Sequence, residues 1–172
     1  MKHCLLFVCL AALAGCNHPA NSVQAKEVKV AAGEIGSRLP DFSATDLQGR
    51  KVSSADLRGK VVLIDIWATW CGPCKKEMPG YQKLADRYGS RGFAVIGLKA
   101  TMMADTEDPL SFARKIGVHY PLLVAPDDLL QKFVNLEGLP TTLLYDREGV
   151  LRKKIIGFEH TNVFESELKR LL

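Results

Sequence analysis

Two cysteines three residues apart, Cys71 and Cys74, enclose Gly72 and Pro73 in the stretch Trp70-Cys71-Gly72-Pro73-Cys74. Thiols at that spacing lie on one side of a helical turn, close enough for a disulfide. The stretch falls between an apolar run, Val61-Val62-Leu63-Ile64-Asp65-Ile66-Trp67, and a group of helix formers, Lys75-Lys76-Glu77-Met78. The run reads as a buried strand and the group as a helix start. Cys71 then sits at a helix N-terminus, where the macrodipole and free N–H groups favour its thiolate. Thiol pKa values of about 8.5 fall to roughly 3.5–7.5 in such motifs, and the thiolate is the attacking species in disulfide exchange. Pro73 fits the first helical turn, where a missing N–H costs nothing.

The same pair could be half of a zinc site, but that takes two more Cys or His ligands. No cysteine follows Cys74, and His119 and His160 are far apart, outside any ligand-like spacing. No metal is expected. A purely structural disulfide would close too short a loop to constrain the unfolded chain much. The expected chemistry is redox exchange through the Cys71–Cys74 dithiol itself, with no other cofactor.

The elements that must hold this turn fit a chain of 172 residues, long enough for one domain with a real core. The hydrophobic share of 47% and charged share of 24% are ordinary globular values. A net charge of +4 does not argue for a nucleic-acid partner. The longest basic run, Arg152-Lys153-Lys154, reads as a solvated strand edge.

The N-terminus reads as a targeting segment. Lys2 precedes an apolar stretch from Leu5 to Leu13, too short to span a membrane as a mature helix. It ends in Leu13-Ala14-Gly15-Cys16, which resembles a bacterial lipobox; an ordinary signal peptide with a chance cysteine is the alternative. Residues 1–15 are therefore expected to be a lipoprotein signal peptide, with Cys16 lipidated after cleavage. Loss of Lys2 leaves 22 basic residues against 19 acidic, a charge of +3. Cys4 and Cys9 leave with the signal and Cys16 is acylated, so only Cys71 and Cys74 remain as thiols. An exported chain with one thiol pair points to a redox catalyst rather than a disulfide-stapled scaffold. Residues 16–35 are expected to be a flexible tether and 36–172 the folded domain.

Within that domain, residues 40–44 and 51–54 flank a turn-rich stretch and read as a β-hairpin, with one helical turn at 54–57. Strand 61–67, a helix over 73–88 kinked at Pro79, and strand 93–98 form a βαβ unit. Asp108-Pro109 caps a helix ending near Ile116. A strand over 120–124, a helix capped by Asp127 or Asp128 and ending near Val134, and strands 141–145 and 150–156 joined by Asp146-Arg147-Glu148-Gly149 follow. The last helix covers 162–171, with Phe164, Leu168, Leu171 and Leu172 as its apolar stripe.

With these residues in view, the chain from about 36 to 172 resembles thioredoxin-fold proteins, most of all the membrane-anchored TlpA/ResA-type thiol–disulfide oxidoreductases. The resemblance rests on Trp70-Cys71-Gly72-Pro73-Cys74, on Pro79, on Gly138-Leu139-Pro140-Thr141-Thr142, and on a segment over 108–124 that matches the helix–strand insert of that family. It implies an α/β fold with a central mixed β-sheet flanked by helices. It also implies that Cys71 attacks and Cys74 resolves, that Pro140 is the cis-proline beside the disulfide, and that the backbone of Leu139 pairs with an extended substrate. Trp70, Gly72 and Pro73 complete the expected substrate contacts. Glu77 matches a family glutamate near the thiols, and Asp65 stands where thioredoxin has a buried acid and many relatives have asparagine. Either could move a proton for Cys74.

The function so implied is reduction of disulfides in exported proteins through a mixed disulfide, with cytochrome c maturation as one setting and a membrane thiol donor restoring the dithiol. Disulfide oxidation or isomerisation and a thioredoxin-fold metallochaperone are the alternatives, the latter needing a third ligand. A peroxidase of the same fold has a Thr three residues before its reactive cysteine; Thr69 stands two before Cys71. The expected location is the cell envelope, facing the periplasm. Asn17 after the lipidated cysteine favours the outer membrane in a Gram-negative cell.

Overall fold

The computed structural model describes residues 30–102 and 105–172. The expected signal peptide, lipidated Cys16 and most of the tether lie outside the described residues. The backbone is already folded at residues 31–37, where Ser37 N–H bonds to Glu34 O and Gly36 N–H reaches Leu151 O at 2.9 Å.

The chain order is β1 (Ser43–Thr45), β2 (Lys51–Ser53), a 3₁₀ turn at Ser54–Leu57, β3 (Val61–Trp67), α1 (Gly72–Tyr88), β4 (Phe93–Ala100), α2 (Pro109–Lys115), β5 (Leu122–Ala125), α3 (Asp127–Phe133), β6 (Thr141–Tyr145), β7 (Leu151–Ile156) and α4 (Thr161–Leu171). β1 and β2 form an antiparallel hairpin. The main sheet has the order β5-β4-β3-β6-β7, with β3, β4 and β5 parallel and β6 and β7 antiparallel additions. The structure is the mixed sheet flanked by helices that the sequence predicts.

β3 is buried on both faces, which explains its unbroken apolar run. Successive side chains alternate across a strand. Leu63 and Trp67 pack with Met78, Tyr81 and Leu84 of α1, Phe112 of α2, and Phe164 and Leu168 of α4. Val62, Ile64 and Ile66 face the other layer, with Phe42, Leu57, Leu130 and Phe133. Trp67 is core, stacked on Phe112 at 5.2 Å between ring centroids. α1 runs unbroken through Pro79. Gly80 lets α4 begin against it, because a β-carbon there would lie 2.0 Å from Thr161 Oγ1.

Several expected boundaries shift: β1 covers Ser43–Thr45 and not 40–44, and β4 runs on past 98 to Ala100. β5 begins at Leu122 rather than Tyr120, since Pro121 has no N–H for the ladder. Pro126, not Asp127 or Asp128, holds the cap position of α3, and the two aspartates occupy its first turn, where their charge suits the helix dipole. Val150 makes only an isolated bridge to Arg38, so β7 starts one residue later. No helix among the described residues is long and apolar enough to cross a membrane.

Candidate active site

The turn after β3 ends at Cys71, which caps α1 with extended backbone. Its Sγ accepts the N–H of Cys74 at 3.2 Å and is bonded to Cys74 Sγ, with the two Cα atoms 5.3 Å apart. Cys74 is fully buried, while Cys71 keeps 4% of its surface exposed. Gly72 and Pro73 form the first turn of α1 and offer no side-chain donor. Lys75 and Lys76 point to solvent, and the Lys75 ammonium lies 5.3 Å from the Phe112 ring centroid.

The Leu139–Pro140 peptide bond is cis. Thr141 pairs with Ile66 across the β6–β3 ladder, so Pro140 stands level with Trp67, at the end of β3 that leads into the redox turn. Pro140 O accepts the N–H of Gly157 at 2.8 Å, which brings the loop after β7 to the same end. Ile156 and Phe158 are each 45% exposed there. Together with half-buried Trp70 and Leu139 they place apolar surface on the loops of this end. Phe158 carries no local signal in the sequence, lying in the polar context Gly157-Phe158-Glu159-His160.

Two carboxyl groups are buried in the layer between β3 and α1 that also holds the disulfide. Asp65 is fully buried on the α1 side of β3, paired with Gly97 on β4 and Thr142 on β6. Tyr120 Oη donates to its Oδ2 at 3.1 Å, and Oδ1 has no hydrogen-bond partner among the described residues. Burial pushes its pKa up to about 7, and the Tyr120 hydroxyl acts the other way. Glu77, on α1, is 2% exposed. Among the described residues its Oε2 accepts one long bond, of 3.5 Å from Glu159 N–H, and its Oε1 has no hydrogen-bond partner. Burial first, and the Asp65 charge second, push Glu77 up to about 8; the Glu159 N–H and the Tyr81 and Thr142 hydroxyls oppose this. Tyr81 Oη and Thr142 Oγ1 are 3.1 Å apart, closing the group. Each acid feels the other, so the two titrate as a pair.

A second cluster, which sequence reasoning missed, braces the redox turn. Lys99 at the end of β4 is 3% exposed, and its Nζ lies 2.9 Å from Asp105 Oδ2. Asp105 Oδ1 accepts from Thr69 Oγ1 at 3.1 Å, and Thr69 Oγ1 in turn accepts Thr106 N–H at 3.1 Å. A lysine inside Gly97-Leu98-Lys99-Ala100 was the available signal, because a strand buried on both faces leaves that ammonium in need of a partner. Tyr120 was missed too, although its i, i+2 spacing from Leu122 puts both on one face. His119 is exposed on Asp86 and Gln82, His160 sits exposed before α4, and no cluster of three or more metal-ligating side chains occurs among the described residues.

The AhpC/TSA family pattern matches residues 35–154. The chain is 35% identical over 142 residues to the thiol–disulfide oxidoreductase ResA of Bacillus thuringiensis, covering 80% of this chain and 79% of that protein. It is 35% identical over 126 residues to ResA of Geobacillus kaustophilus, covering 72% and 70%. Among solved structures, a thiol:disulfide interchange protein of the thioredoxin family from Chlorobium tepidum superposes with a TM-score of 0.72 at 27% identity, over 81% of this chain and 99% of that one.

Proposed function

The chain belongs to the AhpC/TSA family, it is a thiol–disulfide oxidoreductase, and we propose that it works as a reductase of disulfides in exported proteins. The observation that carries the proposal is the Cys71–Cys74 disulfide at the start of α1, with Cys71 Sγ already accepting a backbone N–H. In the reduced protein that N–H and the helix terminus stabilise a Cys71 thiolate. The thiolate attacks a substrate disulfide; one substrate sulfur leaves with the electron pair of the broken bond and takes a proton. Cys74 then gives its proton to the buried acid pair and attacks Cys71 Sγ. The second substrate thiolate departs, and the Cys71–Cys74 disulfide is restored.

Trp70, Gly72, Pro73, Leu139 and Pro140 form the contact surface for the substrate chain, with the Leu139 backbone pairing to an extended segment. A membrane thiol donor returns the disulfide to the dithiol, and Cys16 anchors the protein to the envelope by lipid. Apocytochrome c is one fitting substrate, since its cysteine pair must be reduced before haem attachment. The Thr69 hydroxyl is bound to Asp105 and Thr106, which supports disulfide exchange over peroxide chemistry at this turn.

Cys74→Ser, expressed in the native host, should accumulate mixed disulfides at Cys71 that mass spectrometry identifies as exported proteins with cysteine pairs. Absence of Cys71-linked adducts would overturn the proposal. Cys16→Ala should move the protein from the membrane to the soluble fraction, and unchanged partitioning rejects the lipid anchor.

A further inference from the structure

Tyr120 comes from the stretch between α2 and β5, and three features aim its ring at Asp65. Gln82 of α1, itself buried, accepts the backbone N–H groups of both His119 and Tyr120 on its Oε1, at 2.8 and 3.0 Å. Gly97 N–H holds Pro121 O at 2.9 Å. Gly97 is also the residue paired with Asp65 across β3 and β4, and a β-carbon there would lie 3.2 Å from Tyr120 Cε2 and 2.4 Å from Leu122 Cδ2. The missing side chain at 97 thus makes the passage through which the phenol reaches Asp65 Oδ2 at 3.1 Å.

We propose that Tyr120 is a positioning residue that selects Asp65, rather than Glu77, as the member of the buried acid pair that ionises first and takes the Cys74 proton. The inference rests on the proton-transfer reading of the two acids given above. Two carboxyl groups in one buried space do not readily ionise together, and the one whose anion receives a hydrogen bond ionises first. Asp65 has a hydroxyl donor at 3.1 Å, whereas Glu77 has a backbone N–H at 3.5 Å, and the Tyr81 and Thr142 hydroxyls beside Glu77 bond to each other at 3.1 Å. The groups facing Asp65 are Glu77 and Tyr81 from α1, Tyr120 from the insert, and uncharged Thr142 from β6; Cys74 is buried in the same layer, on α1. Lys99 on β4 is engaged by Asp105. Burial and the neighbouring Asp65 charge keep the Tyr120 phenol protonated, hence a donor, well beyond the neutral range. During resolution Asp65 Oδ1, the free oxygen, accepts the Cys74 proton; the Cys74 sulfur bonds to Cys71 Sγ, and the Cys71–substrate bond breaks with its electron pair leaving on the substrate sulfur.

The test is carboxyl carbon-13 NMR of the full-length protein against pH, beside the pH–rate profile for reduction of a synthetic peptide disulfide. In the wild type, the Asp65 carboxyl should titrate ahead of Glu77. Tyr120→Phe keeps the ring and removes one hydroxyl. It should raise the Asp65 midpoint, and with it the limb of the pH–rate profile, by about one unit, as loss of a hydrogen bond to a charged group implies. Gln82→Ala, which only loosens the clamp, should move both in the same direction by less. In an Asp65→Asn background, Tyr120→Phe should leave the profile where it was. Glu77 titrating first in the wild type overturns the inference. So does an unmoved Asp65 midpoint in Tyr120→Phe, or an equal shift of the profile without Asp65. If the midpoint moves but Asp65→Asn and Glu77→Gln both keep the wild-type pH–rate curve, the proton-transfer reading itself falls, and the routing through Asp65 with it.

Discussion

Lys99 Nζ lies 2.9 Å from Asp105 Oδ2, and the two sides of this ion pair are unequally buried: the lysine side chain is 3% exposed and the aspartate 33%. Removing either partner therefore has different consequences. Among the described residues, Asp105→Ala leaves the buried ammonium with the Ala100 carbonyl at 3.4 Å and removes the acceptor of the Thr69 hydroxyl. Breaking a buried pair from one side costs about 3 kcal/mol or more. Lys99→Met fills the same space with an apolar chain and leaves an aspartate that water can reach, at a cost of roughly 1 kcal/mol or less. Urea unfolding of the oxidised variants should show that order. Equal losses would mean that the pair does not hold the loop after β4 to the redox turn.

The buried acids make stability depend on pH with a definite sign. Asp65 and Glu77 have folded pKa values raised to about 7 and about 8, by burial and, for Glu77, by the Asp65 charge. In the unfolded chain both fall to about 4. Between those limits the native state holds protons that the unfolded state has released. The stability tied to them is complete below about pH 4 and is lost as pH rises through the folded values. The urea midpoint of the oxidised protein should fall across this window. Asp65→Asn with Glu77→Gln, which keep the shape without the charge, should flatten that fall. A double variant with the wild-type slope would show that other groups carry it.

Cys71 and Cys74 should differ in reactivity once reduced. Cys71 sits at the helix start and its sulfur accepts an N–H at 3.2 Å, while Cys74 is fully enclosed one turn in. A low pKa and access act together on alkylation, so iodoacetamide near neutral pH should modify Cys71 at least about tenfold faster. Peptide mapping by mass spectrometry reads this directly. Equal rates would reverse the assignment of attacking and resolving thiols.

What the sequence made legible followed from period and spacing. The unbroken run 61–67 marked the central strand, Asp108-Pro109 marked the start of α2, where the Asp108 carboxylate accepts Ser111 N–H at 2.8 Å, and Cys71-Gly72-Pro73-Cys74 marked the site. Asp65 was visible as an acid in an apolar strand. Tyr120 was not, because it acts on a residue 55 positions away, and the role of Lys99 was not, because its partner Asp105 lies past the end of β4, where strand pattern does not reach. Local pattern shows which face a side chain takes, not what the facing element brings to it. Gly97 illustrates the limit: in sequence it is a small residue inside a strand, and only the packing of Tyr120 and Leu122 over it shows why nothing larger fits.

The proposed direction of electron flow rests on what surrounds the Cys71 sulfur. A strongly oxidising pair needs a very stable thiolate, because the reduced form must be favoured; potentials run from about −270 mV for thioredoxin to about −120 mV for the oxidant DsbA. Here the Cys71 sulfur has one backbone donor among the described residues, from Cys74. Gly72 and Pro73 add no side-chain donor, and Lys75 and Lys76 are exposed on α1 past the pair. The one buried lysine among the described residues, Lys99, is neutralised by Asp105. Asp65 and Glu77 add no positive charge, and any ionisation of either disfavours a thiolate in the same buried space. On these grounds the proposed reductase should have a potential below roughly −200 mV. Equilibration in glutathione buffers of graded ratio, followed by acid quenching and thiol trapping, measures it. Asp65→Asn with Glu77→Gln should raise the potential near pH 8, where at least one acid of the pair is ionised, and change it little near pH 5, where both are neutral. A wild-type value close to that of DsbA would overturn the reductase direction and make the protein a donor of disulfides.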